Sequence, residues 1–170
     1  TRVDYELGTK WVRFPNGGTM HEQSRAATFE RGLFKVDDSL LELGGNVYID
    51  DGDWVVMSDS LHWDEKNEKL FFHGLSRVLE QSGELELSCF FGAFDSAQES
   101  GWFASEEVGS GTKARVRQDD VWLEADRLEV PADSLEPLSA MGRVEIQDTS
   151  RVWKVWGSNA LRRQGAGGEN

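Results

Sequence analysis

Three histidines and one cysteine are the side chains of this chain best suited to metal binding or nucleophilic chemistry. His21, His62 and His73 form none of the spacings with Cys89 that are typical of a zinc site. A single cysteine has no partner for an internal disulfide. Cys89 also lies in phase with apolar neighbours, which indicates a small buried side chain rather than a reactive thiol. The sequence therefore predicts no metal site and no cofactor.

Aspartates are the next candidates for chemistry. The acidic segment 50–53 superficially resembles a calcium loop, but strand-like patterns flank it on both sides and favour a hairpin turn. Asp59 and Asp126 are the residue type of a catalytic carboxylate pair. They occupy the same place in two copies of a repeat, which favours a structural role. Because there is no Gly-x-Ser-x-Gly, phosphate-loop or dinucleotide motif either, we expect no enzyme.

A repeated alternating pattern predicts the elements that hold these side chains. The pattern is Leu-x-Φ-x-Gly, in which Φ is usually a bulky apolar residue, and it occurs at 41–45, 70–74 and 138–142. Strict alternation is typical of a strand with one buried face. A repeated strand–turn–strand unit buries its apolar face only by stacking on its neighbours. We therefore predict an all-β protein built from stacked antiparallel hairpins.

A second repeat predicts a sharp corner within the strands. In residues 54–63 and in residues 121–130, inward-facing positions alternate with outward-facing ones. In both segments the alternation shifts by one position at a small residue followed by aspartate, at Ser58-Asp59 and at Ala125-Asp126. One extra residue turns every later side chain to the other face unless the strand bends or bulges. We expect the chain to bend at each aspartate and to keep its apolar side facing one interior.

Turn signals divide the chain into strands, and no segment has sustained helical periodicity. We predict a single domain over residues 1–164, with an irregular start at 1–25, a loop at 105–112 and a disordered tail at 165–170. The predicted strands cover residues 26–36, 40–49, 53–63, 69–79, 84–94, 101–107, 113–130, 137–147 and 151–162.

The composition argues against several classes of partner. The formal net charge of −13 opposes binding to nucleic acid, whose phosphates require a basic face. No basic stripe suited to an anionic membrane is visible. No apolar run is long enough to span a bilayer. The chain begins at Thr1 without the basic and apolar start of a signal peptide, as expected of a trimmed or mature chain.

The apolar side of the predicted strands is wide, since the chain has seven tryptophans and nine phenylalanines. One interpretation is a closed sandwich core that these side chains simply fill. The other is an incompletely closed groove that holds acyl chains. At ~25 cal/mol per Å², a groove that buries roughly several hundred Å² of lipid would gain several kcal/mol, which suffices for reversible binding. The residues alone leave both interpretations open.

Several segments of the chain resemble the OstA-like family, which includes LptA, LptC and the periplasmic domain of LptD. These segments are GNVYI at 45–49, SDSLHWD at 58–64 and LFFHG at 70–74. The pattern returns in ADRLE at 125–129 and GRVEI at 142–146, and GAFD at 92–95 resembles a further turn of the repeat. The resemblance covers residues 26–162 and implies a β-jellyroll shaped like a taco shell, with its strands stacked into a half-pipe.

The resemblance also implies a function. It predicts a non-enzymatic module in the Gram-negative periplasm that holds lipopolysaccharide acyl chains in an apolar trough and passes them toward the outer membrane. Exposed strand edges would join it to other OstA-like domains, copies of itself included, and a membrane anchor outside this chain is compatible with it. By matching positions, the residues expected to line the trough are Val47, Ile49, Val56, Leu61, Trp63, Leu70, Phe72, Leu123, Leu128, Val130, Val144 and Ile146.

Three features depart from this expectation. Trp54 and Trp63 are bulkier than a trough requires, the segment 105–112 interrupts the repeat, and the negative charge opposes lipopolysaccharide phosphates. These departures keep an alternative open, namely a structural or docking β-domain of a larger cell-envelope complex with a closed core and no lipid cargo.

Overall fold

The computed structural model describes residues 3–22, 25–50, 52–83, 85–95, 97–98, 100–106, 112–132, 138–151 and 153–162. These residues form strands and turns only, and they contain no helix that could cross a membrane. The strands are β1 (Asp4–Glu6), β2 (Trp11–Phe14), β3 (Gly18–Glu22), β4 (Arg25–Phe29), β5 (Arg31–Lys35), β6 (Leu40–Asp50), β7 (Trp54–Asp64), β8 (Lys69–Glu80), β9 (Leu85–Asp95), β10 (Ser100–Ala104), β11 (Ala114–Gln118), β12 (Val121–Ala125), β13 (Arg127–Val130), β14 (Leu138–Asp148) and β15 (Trp153–Arg162).

The long strands β6, β7, β8, β9, β14 and β15 confirm the all-β prediction and lie within a few residues of their predicted bounds. Two predicted strands were wrong. The strand at 26–36 is broken at Glu30, whose backbone N–H donates to the carbonyls of Gly44 and Gly45. The strand at 113–130 is three strands, because the chain turns at Asp119, which has a φ of 53°, and bends again at Asp126. The start of the chain, predicted to be irregular, contributes β1, β2 and β3.

All fifteen strands belong to one antiparallel sheet that folds over on itself into two arms. The first arm contains β1, β2, β5, β10 and β13, together with the halves of the long strands that pair with them. The second arm contains β3, β4, β11 and β12 with the other halves of the long strands. The inner faces of the two arms contribute to one hydrophobic cluster, so the core lies between the arms.

The arms meet at corners where the register of the long strands shifts. The shifts fall between Gly44 and Val47 in β6, Ser58 and Ser60 in β7, and Met141 and Val144 in β14. The predicted bends at Asp59 and Asp126 are therefore confirmed. A bulge lets a strand change direction while its apolar side chains keep facing one interior.

Each of these corners joins an acidic side chain to a glycine of the neighbouring strand. Gly74 has a φ of 81°, and a Cβ added to it would lie 2.7 Å from Cβ of Asp59. The backbone N–H of Leu75 donates to Oδ2 of Asp59 over 2.9 Å. Glycine is required because the conformation is left-handed and the aspartate occupies the space of a side chain.

Candidate functional site

The inner face of the first arm carries an unbroken row of apolar residues and glycines, one from each strand except β1. Cross-strand pairing links them in order through β2, β5, β6, β7, β8, β9, β10, β13, β14 and β15. The members of this first row are Phe14, Gly32, Leu43, Leu61, Phe72, Gly92, Phe103, Leu128, Ala140 and Ala160.

The inner face of the second arm carries a matching row. Pairing links it from the edge strand β3 to the edge strand β15 without a gap. The members of this second row are Met20, Ala27, Ile49, Val56, Val78, Leu87, Val116, Leu123, Ile146 and Val155. We call the wedge-shaped interior between the two rows the trough.

Burial changes with distance from the corners. Next to the corners, Leu61 is 1% exposed and Phe72 is 2% exposed. Further out along the arms, Ile49, Val56 and Trp63 are only half-buried. An interior that was equally closed throughout would bury both sets, so over these strands the wedge opens away from the corners.

The wedge does not open evenly along its length. Leu87, Val116 and Leu123, on β9, β11 and β12, are buried although they belong to the same row as the half-buried Ile49 and Val56. The middle of the second arm therefore lies closer to the first arm than its β6 and β7 portion does. Access to the trough is greater toward the ends of the row than at its centre.

All twelve residues expected to line the trough lie on its inner faces. Six of them are buried and six are half-buried against the same cluster. The buried ones are Val47, Leu61, Phe72, Leu123, Leu128 and Val144, and the half-buried ones are Ile49, Val56, Trp63, Leu70, Val130 and Ile146. Other members of the rows, notably Phe103 and Val116, were not predicted from the sequence. Val116 alternates with Arg115 and Arg117, a pattern that could have revealed it, whereas Phe103 lies between Trp102 and Ala104 and has no such pattern.

Both ends of the trough expose apolar side chains at strand edges. At the β3 end of the second row, Met20 is 38% exposed, and at the β15 end Val155 is 52% exposed. Tyr5, on the inner face of the edge strand β1, is 53% exposed. Among the described residues, β1, β3 and β15 each pair along one side only. The trough therefore ends at strand edges that still have unpaired backbone groups.

The residues considered first for chemistry lie on the outer face, are buried in the core or have structural partners. His62 and His73 are on the outer face, where their rings pack edge-on against Phe71 and Phe91. Cys89 is 1% exposed, and burial raises the pKa of its thiol to about 12, which makes it unreactive at neutral pH.

The corner carboxylate of Asp126 has the most developed set of partners. Its Oδ1 accepts hydrogen bonds from Nη2 and Nε of Arg143 at 2.7 and 3.0 Å, and its Oδ2 accepts one from the backbone N–H of Arg143. The guanidinium hydrogen bonds hold the pKa of Asp126 below its usual range. A carboxylate with these partners stays ionised and stabilises the bend.

A solved structure shares this fold. The chain has the LptA-like β-jellyroll fold. The match is to LptH, the LptA-homologous periplasmic component of the lipopolysaccharide transport device of Pseudomonas aeruginosa, and it covers 84% of this chain and 96% of LptH with a TM-score of 0.57. Sequence identity over the match is 12%, so the likeness is one of fold.

Comparison by sequence finds less than comparison by structure. No protein-family model matches the chain, and no curated protein sequence is significantly similar to it. The alternation that forms the strands permits many different apolar and polar residues at each position, so the fold persists where sequence similarity does not.

Proposed function

We propose that this protein is a non-enzymatic periplasmic module that holds the acyl chains of a lipid in its trough and passes the lipid along a row of similar domains. Lipopolysaccharide is the proposed cargo, by analogy with the transport device of which LptH is a component. Residues 1–164 would act as one domain. The single observation that carries the proposal is the pair of apolar rows that run across the sheet, the second of which ends, partly exposed, at the edge strands β3 and β15.

Acyl chains suit this interior for a physical reason. The rows contain aliphatic and aromatic side chains, and the half-buried rim at Ile49, Val56 and Trp63 still has apolar surface to cover. Covering that surface with lipid removes it from water at ~25 cal/mol per Å². Neither row contains a charged side chain. Head groups would therefore remain outside the trough.

The open edges give the proposed route for hand-over. An unpaired strand accepts another strand by backbone hydrogen bonding, and alternate side chains then set the register. Val155 on β15 and Met20 on β3 are inward-facing residues at opposite ends of one row. A domain joined at either edge would continue that row, and the lipid would move along it without leaving apolar surroundings.

The buried centre of the trough supports a second candidate function. Leu61, Phe72 and Leu128 are as buried as residues of an ordinary core, and the middle of the second arm is closed. A structural or docking domain of a cell-envelope complex, with no lipid cargo, would have this interior. The two candidates differ in whether the arms separate to admit a ligand.

Native mass spectrometry with lipid extraction tests the proposal. The protein is expressed in a Gram-negative periplasm, purified, and examined for bound lipid and for uptake of added lipopolysaccharide. We expect a co-purifying acylated lipid that is lost in Leu70→Asp, since Leu70 is half-buried and faces the trough. Leu70 is preferable to Leu61, because a charge at the fully buried Leu61 would unfold the protein.

Phe71→Asp is the matched control. Phe71 is the next residue of β8, is also half-buried, and lies on the outer face beside His62. The Phe71→Asp variant should lose about as much packing as Leu70→Asp but should keep the lipid. If the folded wild type carries no lipid and ignores added lipopolysaccharide, the docking function replaces the carrier function. If both variants retain the lipid, the trough is not its binding site.

A further inference from the structure

The outer face of the second arm differs in charge from the protein as a whole. Five basic side chains cluster there in a chain whose formal net charge is −13. They are Arg77 on β8, Lys113 before β11, Arg115 and Arg117 on β11, and Lys154 on β15. No basic stripe is visible in the sequence because these residues come from separate strands that only the fold brings side by side.

The carboxylates on this face are less exposed than Arg77, Arg115, Arg117 and Lys154, and about as exposed as Lys113. The side chains of Glu86, Glu124 and Glu145 are 12%, 19% and 17% exposed, whereas those of Arg77 and Arg115 are 50% and 47% exposed. The basic side chains are long and lie over the shorter glutamates. Solvent therefore meets mainly cationic groups, although ion pairs connect nearly the whole face.

Aromatic rings hold these cations in place and add apolar surface. The guanidinium groups of Arg115 and Arg117 lie 4.8 and 5.3 Å from the ring centre of Trp122. At the β15 edge, Trp156 is 68% exposed, and its Nε1–H donates to Glu145 over 3.2 Å. Nζ of Lys154 lies 5.6 Å from the Trp156 ring centre. Indole rings beside basic groups are typical of protein surfaces at the membrane interface.

The other half of the same face carries little charge. Its outward side chains include Tyr48, which is 39% exposed, and the half-buried Met57. Within the described strands of that half, the outward-facing carboxylate is Asp50, whose Oδ1 already accepts hydrogen bonds from the backbone of Gly52 and from Nε2 of Gln81. The face as a whole is thus basic toward β15 and apolar toward β6.

We propose that this outer face of the second arm docks on an anionic lipid bilayer. Charge complementarity favours it, because the exposed cations face outward from the sheet and the surface of an anionic bilayer is negative. The remaining negative charge does not prevent docking. The Debye length is ~8 Å at physiological salt and packed sheets lie ~10 Å apart, so acidic groups on the opposite arm are largely screened.

This docking is independent of cargo binding in the trough. It uses the opposite side of the second arm from the inner row, and it brings Trp156 and the β15 edge to the membrane. The inference therefore goes beyond the proposed function and can fail separately from it. A bilayer is favoured over an acidic protein because the face presents an array of exposed cations with exposed indole and phenol rings.

Vesicle co-sedimentation tests the proposal. Wild-type protein is mixed with vesicles of phosphatidylcholine alone or of phosphatidylcholine with phosphatidylglycerol, at low and at physiological salt. We expect binding only to the anionic vesicles, weakened by salt. The triple variant Arg77→Gln, Arg115→Gln and Lys154→Gln should bind roughly a hundredfold less tightly, since each basic residue near an anionic surface contributes a severalfold gain in affinity.

The control variant removes the same charge elsewhere. Lys10→Gln, Arg13→Gln and Lys69→Gln also neutralise three exposed, ion-paired cations, all on the first arm or its turns. It should bind like wild type, provided that thermal unfolding shows both variants to be folded. Leu70→Asp should bind vesicles normally even when it has lost its lipid. Absence of wild-type binding at low salt, or equal losses in the two triple variants, would overturn the proposal and leave an acidic protein as the partner of this face.

Discussion

At the corners of the folded sheet, single acidic side chains hold the turns of neighbouring strands. Asp59 accepts a hydrogen bond from the backbone of Leu75, and Asp126 accepts from the backbone and guanidinium of Arg143. Glu30 accepts from Nδ2 of Asn46 at the first corner. Such bonds matter because a bend leaves backbone N–H groups without sheet partners. Each corner therefore depends on one acidic side chain for these hydrogen bonds.

Asp126 should make the protein sensitive to acid. Its pKa is lowered in the folded state, first by the Arg143 hydrogen bonds, so the unfolded chain takes up a proton more readily. The stabilisation is complete above the unfolded pKa of about 3.9 and is lost as the pH falls through the folded pKa. We expect Asp126→Asn to reduce the free energy of unfolding by about 1–3 kcal/mol at neutral pH.

Urea unfolding at a series of pH values measures this effect. The difference between wild type and Asp126→Asn should shrink as the pH falls below about 4. Asp119→Asn is the control, because Asp119 lies in an exposed turn and asparagine tolerates its positive φ. A difference between wild type and Asp126→Asn that stayed constant down to the lowest pH would show that Asp126 acts through its shape rather than its charge.

At the scale of the strands, the glycine of each corner is as constrained as the carboxylate. Gly142 has a φ of 87°, and a Cβ added to it would lie 2.6 Å from Cβ of Asp126. We expect Gly142→Ala to lower the free energy of unfolding by about 2–4 kcal/mol, from backbone strain and from displacement of Asp126. Chemical denaturation measures it.

Gly8→Ala is the matched control for the corner. No atom lies within 4 Å of the Cβ that this change would add, and Gly8 has no positive φ. Its effect should stay within about 0.5 kcal/mol. If Gly142→Ala proved equally mild, β14 would bend without help from its glycine, and the repeated Leu-x-Φ-x-Gly pattern would need another explanation.

The strands that sequence predicted well are those whose pattern is local. β7 and β8 carry inward-facing apolar residues on both sides of a corner, and their corners carry the Asp or Gly that a bend requires. The break at Glu30 was not predictable in this way, because it is set by hydrogen bonds to Gly44 and Gly45 on another strand. The turn at Asp119 left a local signal, since Val116 and Leu123 face the same interior with opposite parity. Because this turn contains no glycine or proline, the sequence pattern predicts one continuous strand there.

At the scale of the whole molecule, the two inner rows form a continuous apolar path with exposed ends. The inner-face predictions followed from parity, whereas the partial closure over β9, β11 and β12 depends on how the two arms pack. The exposed ends depend on which strands lack neighbours. The distribution of charge also depends on the fold, which brings basic residues from separate strands together on one outer face. These properties belong to the folded sheet and could not be assigned to any segment.

The exposed ends predict association between copies of this chain. Val155→Asp would place a charge where the second row meets the β15 edge, so that a joined domain would have to bury it. Because Val155 is 52% exposed in the single molecule, the free energy of unfolding should change by less than about 0.5 kcal/mol. Sedimentation velocity at rising protein concentration should show reversible association of the wild type and weaker association of Val155→Asp.

Val36→Asp separates this effect from a general gain in solubility. Val36 is 42% exposed, comparable to Val155, but it lies in the turn between β5 and β6, away from both edges of the second row. It adds the same charge to a chain that is already acidic, so it should associate like the wild type if the β15 edge is the contact. Equal weakening by both variants would assign the association to charge repulsion alone. If the wild type stays monomeric at every protein concentration, its edge strands would have to pair with a different domain. The inward-facing residues of that domain would then have to continue the second row beyond Met20 or Val155.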